Sequence, residues 1–148
     1  MGGNPLTKDK YKYNDKLLRC RYEYIEKLLK KYRENKSEVE LITVMGMDYS
    51  NVRVQTSNKS TLDSIVIRLD KLKKEIAIID ALIKVLNVKE KFIIESFYKE
   101  GQKLMWIGNH SLVNIDTENG VGMAKKEAIR KMANIYNRNI KYFEEVAG

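Results

Sequence analysis

The chain has 148 residues, 43% of them hydrophobic, enough to bury a core as one domain or as a small domain with a long helical extension. Its 28 Lys and Arg against 20 Asp and Glu leave a net charge of +8, which favours polyanionic partners such as nucleic acid or an anionic membrane surface. A single cysteine, Cys20, excludes an internal disulfide, and with only one histidine the chain is short of ligands for zinc and of bases for nucleophilic chemistry.

The cationic excess lies mainly in residues 1–58 and 103–141. The segment up to Lys12 has no apolar core of a secretion signal, and nowhere does the sequence approach the roughly 18 uninterrupted apolar residues of a membrane span. A soluble protein of a reducing cytoplasm, with no membrane partner, is expected. Pro5 is the only proline, and the abundant Leu, Ile, Lys and Glu after it point to an all-α fold.

Residues 1–13 read as a flexible N-terminus. A first amphipathic helix is expected from Asn14 to Asn35, where Leu18, Ile25 and Tyr32 recur every seven residues and Tyr22, Leu28 and Leu29 widen the stripe. Residues 36–58 lose the period, and Met45-Gly46-Met47-Asp48 and Tyr49-Ser50-Asn51 resemble turns, so this stretch reads as a linker, with a helical turn or two at Glu38 to Met45. Ser57 to Thr61 then offers several N-caps, with Asp63 three residues after Ser60.

The helix that follows has the most regular pattern of the chain. Leu62, Ile65, Leu69, Leu72, Ile76, Ile79, Ile83 and Leu86 alternate spacings of three and four. Such a 62–86 seam serves either a parallel homodimeric coiled coil or the inner face of an intramolecular hairpin with the first helix. Val66, Ile78, Leu82 and Val85 broaden the apolar face beyond a two-helix seam and favour the hairpin over residues 14–86.

After Asn87-Val88, residues Lys89 to Tyr98 form a short helix with Phe92, Ile93, Ile94 and Phe97 inward, ended by Gly101. Leu104 to His110 forms another, with Trp106 assigned to the core. A turn at Ser111-Leu112-Val113-Asn114 leads to a long final helix that begins near Asp116 or Thr117, either of which can serve as its N-cap, and runs to about Phe143, and 144–148 is a tail. Helix, short helix, turn and basic helix over 87–143 is the order of a helix-turn-helix. In the final helix Val121, Ala124, Ala128, Ile129, Met132 and Ile135 make an inner stripe, while Glu118, Asn119, Lys125, Lys126, Arg130, Lys131 and Arg138 occupy the other face. On charge pattern alone a solvated basic helix of a bundle fits equally well.

Several runs resemble one family. Ile79-Asp80-Ala81-Leu82, Leu86, Glu90-Lys91-Phe92-Ile93-Ile94, Phe97-Tyr98, Trp106-Ile107-Gly108 and Lys126-Glu127-Ala128-Ile129-Arg130-Lys131-Met132-Ala133 stand in the order found in phage late-gene transcriptional regulators of the RinA/ArpU type, whose helix-turn-helix is similar to the promoter-reading domain of sigma factors. The resemblance spans Ile79 to Asn134. It departs from that pattern in a turn one or two residues longer between Gly108 and Thr117, and in Gly120 and Gly122 within the first turns of the last helix, each costing about 1 kcal/mol relative to alanine.

The resemblance implies a DNA-binding transcriptional regulator, an activator of phage or prophage genes in the cytoplasm of a bacterial host cell. Its partners would be double-stranded promoter DNA and, through the helical N-terminal part, RNA polymerase. Lys125, Lys126, Arg130 and Lys131 would then contact phosphates, and Thr117, Glu118, Asn119 and Met123 would face the bases, with Lys103 and His110 at the groove edge. No enzymatic activity and no cofactor are expected, since Gly120-Val121-Gly122 lacks the strand and spacing of a nucleotide loop. Two other readings stay open: a DNA-packaging component resembling a small terminase subunit, fed by the heptad, and a helical protein-binding adaptor.

Overall fold

The structure, a computed structural model, describes the backbone of residues 5–52 and 59–147 and the side chains of residues 16–45 and 63–144. It consists of α1 (Pro5–Val52), α2 (Lys59–Ile83), α3 (Val88–Ile94) continuing into one π-helical turn (Glu95–Lys99), α4 (Leu104–Asn109), α5 (Glu118–Arg138) and α6 (Ile140–Ala147). Among the described residues there is no strand, and no helix is long and apolar enough to cross a membrane. The fold is all-helical.

α1 corrects two expectations. It begins at Pro5, inside the segment read as a flexible N-terminus, and it runs unbroken through residues 36–52, read as linker. Apart from Gly46 this stretch contains no residue that breaks a helix, and a single glycine costs only about 1 kcal/mol in a helix interior. The turn-like dipeptides were weak local preferences overridden by continuation of an existing helix, whose added residues need no new nucleus. Residues 53–58 of the expected linker lie outside the described residues.

α2 runs antiparallel to α1. The Tyr32 hydroxyl donates to Asp80 Oδ1 at 2.7 Å, Asn35 Nδ2 donates to Glu75 Oε1 at 3.1 Å, and Glu38 pairs with Arg68, so numbers rise along one helix as they fall along the other. The heptad seam is buried within the chain at Leu72, Ile79, Ile83 and Leu86. Of the residues expected to broaden it, Ile78 and Leu82 are buried, whereas Val66 and Val85 face outward. The side chain of Leu62 lies outside the described set.

α3 starts with a reciprocal cap: Asn87 Oδ1 accepts from the Glu90 amide at 2.8 Å, and Glu90 Oε1 accepts from the Asn87 amide at 3.0 Å. The final helix stops earlier than its pattern suggests. Asn139 leaves helical geometry at φ −119°, ψ 28°, and its Nδ2 donates back to the Ile135 carbonyl at 2.8 Å. The bend lets Phe143 of α6 return onto Tyr136, ring centroids 5.2 Å apart, so residues 144–147 continue a helix instead of a tail.

Two apolar clusters hold these elements. The larger joins Ile25, Leu29 and Tyr32 of α1, Ile79 and Leu82 of α2, and Ile129, Met132 and Tyr136 of α5. The smaller takes one residue each from α3, α4, the turn and α5: Ile93, Ile107, Val113 and Val121. Between α4 and α5 the packing is tight enough to demand a glycine. A β-carbon on Gly108 would stand 2.5 Å from the Ile115 carbonyl oxygen and 2.6 Å from Val121 Cγ2. The Gly108 carbonyl accepts from the Ile115 amide at 2.9 Å, which closes the turn.

Gly108→Ala should therefore lower stability by about 1–3 kcal/mol through overpacking. Gly122→Ala, whose new β-carbon would meet only Leu104 Cδ1 at 3.9 Å, should raise it by up to about 1 kcal/mol through helix propensity. Thermal unfolding followed by circular dichroism would check both signs.

Candidate nucleic-acid interface

The start of α5 is set by Thr117, whose Oγ1 accepts from the Gly120 amide at 3.0 Å, as its expected role of N-cap requires. Gly120 lies under this cap: a β-carbon there would be 2.6 Å from Ile115 Cγ2 and 2.8 Å from Thr117 Oγ1. The glycine is thus a steric requirement of the turn, and the helix is formed from Glu118 onward. Glu118 in the first turn complements the positive end of the helix dipole.

The eight candidate residues separate into different environments. Asn119, Met123, Lys126 and Arg130 are all exposed, and their spacings of four, three and four place them on one stripe of α5. Thr117 and Glu118 are exposed at its beginning. Arg130 pairs with Glu127 on the same surface. Lys125 instead packs against the body of the protein, with Nζ 4.1 Å from the centre of the Phe97 ring and 5.4 Å from that of Tyr98. Lys131 Nζ lies 3.0 Å from Glu90 Oε1, the carboxylate that also caps α3. The structure does not bring the four expected phosphate ligands together on one free face.

Burial explains the charge behaviour of this seam. Desolvation lowers the Lys125 ammonium below its ordinary value, with Lys30 and Lys126 adding to the effect and Glu26 opposing it. Tyr98 is raised, chiefly by burial and further by Glu26 and Tyr22, and its hydroxyl has no hydrogen-bond partner among the described residues. Tyr24, half-buried against Tyr136 with ring centroids 5.5 Å apart, is pushed up to about 12, first by desolvation and then by Tyr136. On the other side, burial would lower Lys99, but the Tyr32 hydroxyl, Asp80 and Glu95 outweigh it and the net shift is upward.

Trp106 departs from its assignment to the core. It is 47% exposed and lies near-parallel to Phe92, ring centroids 6.2 Å apart. Ile107, its neighbour, occupies the buried position. His110, expected at a groove edge, is half-buried with its ring 4.2 Å from that of Phe92, and its Nδ1 accepts from the Leu112 amide at 3.1 Å. Lys103 is exposed at the start of α4. Met105 and Leu112 flank this region in the open, an apolar rim that the helical period alone did not reveal.

No group of three or more metal-ligating side chains is found among the described residues. Neither a family model, a curated protein nor a solved structure matches the chain.

The raised tyrosines make stability depend on alkaline pH with a definite sign. A hydroxyl held protonated to higher pH in the folded chain contributes fully below its unfolded value of 10 and loses that contribution as pH rises towards 12. Urea unfolding at pH 9 and pH 11 should show a drop in stability, and the drop should be smaller in Tyr24→Phe.

Proposed function

We propose that the chain is a DNA-binding transcriptional regulator in which α3, α4 and α5 act as a helix-turn-helix and α1 with α2 forms a helical hairpin behind it. The observation that carries this reading is the exposed stripe of Asn119, Met123, Lys126 and Arg130, beginning at the capped end of α5 and backed by the cluster of Ile93, Ile107, Val113 and Val121. A reading helix must be held at a fixed angle by its neighbours while its first turns stay free for base edges.

In this reading Lys126 and Arg130 contact the backbone. Asn119 offers its amide to a base edge, where a bidentate pairing with adenine is the favoured geometry. Met123 supplies an apolar contact. Arg130 would exchange Glu127 for a phosphate on binding. Lys125 and Lys131 support the fold instead, the first by covering Phe97 and Tyr98, the second by holding Glu90.

Replacing both Lys126 and Arg130 by alanine should weaken DNA binding at least tenfold and reduce the slope of log affinity against log salt by about 2. Lys125→Met should leave DNA affinity within about twofold, since its charge makes none of the phosphate contacts that set the salt slope. Selection of bound sites from random DNA should enrich one motif. Recovery of an unenriched pool would overturn sequence-specific regulation.

A further inference from the structure

α1 also passes beside the outward stripe of α5. Arg21 Nε donates to Asn137 Oδ1 at 3.3 Å and Tyr24 meets Tyr136, so the early part of α1 lies against the end of α5. Nine residues on, Lys30 has reached the middle of α5: after desolvation, and against Glu26, its charge and that of Lys126 lower the Lys125 ammonium. The two helices therefore run antiparallel. Further along, the Arg33 guanidinium rests on Gly101, where a β-carbon would stand 2.5 Å from its Nη1. Gly101 leads to the exposed Lys103, and Leu104 Cδ1 lies 3.9 Å from where a β-carbon of Gly122 would stand, which sets the start of α4 against the first turns of α5.

Lys30, Arg33, Lys103 and Lys126 thus line one flank of α5, and all four are exposed. Glu26, Lys30 and Arg33 follow spacings of four and three, one stripe of α1. Lys30 holds Glu26 only loosely, at 3.8 Å with its side chain 66% exposed. Among the described residues Arg33, Lys103 and Lys126 have no ion pair. With Glu26, Glu34, Glu100 and Glu127 set against Lys30, Arg33, Lys103, Lys125, Lys126 and Arg130, six cations to four anions, the flank stays cationic. Like charges crowded on one surface repel, and a polyanion laid across them relieves the repulsion.

We propose, resting on α5 as the DNA-binding helix, that α1 is part of the same interface: Lys30 and Arg33, with Lys103, hold phosphates of the strand bordering the groove that α5 enters. Packed helices lie about 8–10 Å apart. One strand of B-form DNA carries a charge every ~3.4 Å along the axis, so a strand that meets Lys126 and Arg130 reaches the α1 row within a few nucleotides. The long first helix then braces α5 from within and clamps the DNA backbone from its outer side.

Binding of the full chain to labelled, sheared double-stranded DNA of mixed sequence, followed by fluorescence anisotropy over a salt series, tests this. Lys30→Ala with Arg33→Ala should weaken binding about tenfold and reduce the slope of log affinity against log salt by about 2, with the circular dichroism spectrum unchanged. Lys30→Arg with Arg33→Lys keeps both charges and should keep the slope. Lys27→Ala with Lys31→Ala removes the same charge about 100° further round α1 and should change the slope by less than half as much. A Lys30 and Arg33 alanine pair that retains the full slope, or equal losses from the two alanine pairs, would overturn the role of α1 and leave the reading of α5 to its own variants. An unaltered chain that does not bind the duplex would overturn both.

Discussion

α5 is shared by both apolar clusters, and the arrangement of the remaining helices depends on that double burial. Val121 at its beginning is packed among Ile93, Ile107 and Val113, while Ile129, Met132 and Tyr136 lie among residues of α1 and α2. Burying a side chain of this size contributes about 1.5–3 kcal/mol, so either end of α5 resists displacement by more than any single surface contact. A helix fixed at both ends cannot roll. Its outward stripe is therefore decided by which residues must face inward.

That constraint also accounts for the unequal fates of its cations. Lys125 and Lys126 are neighbours in sequence but lie about 100° apart around the helix, which turns one onto Phe97 and leaves the other in the open. The aliphatic stem of Lys125 covers aromatic surface while its ammonium rests over the ring face, an arrangement worth about 0.5–2 kcal/mol that offsets part of the desolvation. Lys131, by holding the carboxylate that caps α3, ties the third helix to the fifth. Two charges that look equivalent to Lys126 and Arg130 in a linear sequence thus serve the packing of the helices that present them.

The tight approach at Gly108 has a similar role on a smaller scale. With no β-carbon, the end of α4 can rest against Val121 and accept the Ile115 amide, so the turn is closed by backbone contacts. Asn114 in this turn takes a positive φ of 53°, a conformation asparagine tolerates better than most residues. Beyond the clusters the design changes: among the described residues, the distal parts of α1 and α2 meet through side chains such as Glu38 and Arg68, and Leu41, Val44, Met45, Val66 and Ile67 are exposed.

Much of the core was legible from spacing. The recurrence of Ile25 and Tyr32, of Leu72, Ile79, Ile83 and Leu86, and of Val121, Ala128, Ile129 and Met132 marks faces that are buried in the structure, because a helix converts period directly into direction. The cap at Thr117 was equally readable, since its chemistry is local. Tertiary structure decided the rest. The continuation of α1 through residues 36–52 overrode weak turn preferences, the bend at Asn139 answered to the docking of Phe143, and the exposure of Trp106 followed from Ile107 taking the inner position. Which cations on α5 stand free is likewise invisible in one dimension, because it depends on where Phe97 and Glu90 lie in space. The sequence by itself determined an all-helical chain and its inward faces; only packing between distant helices decided which outward residues remain free to bind.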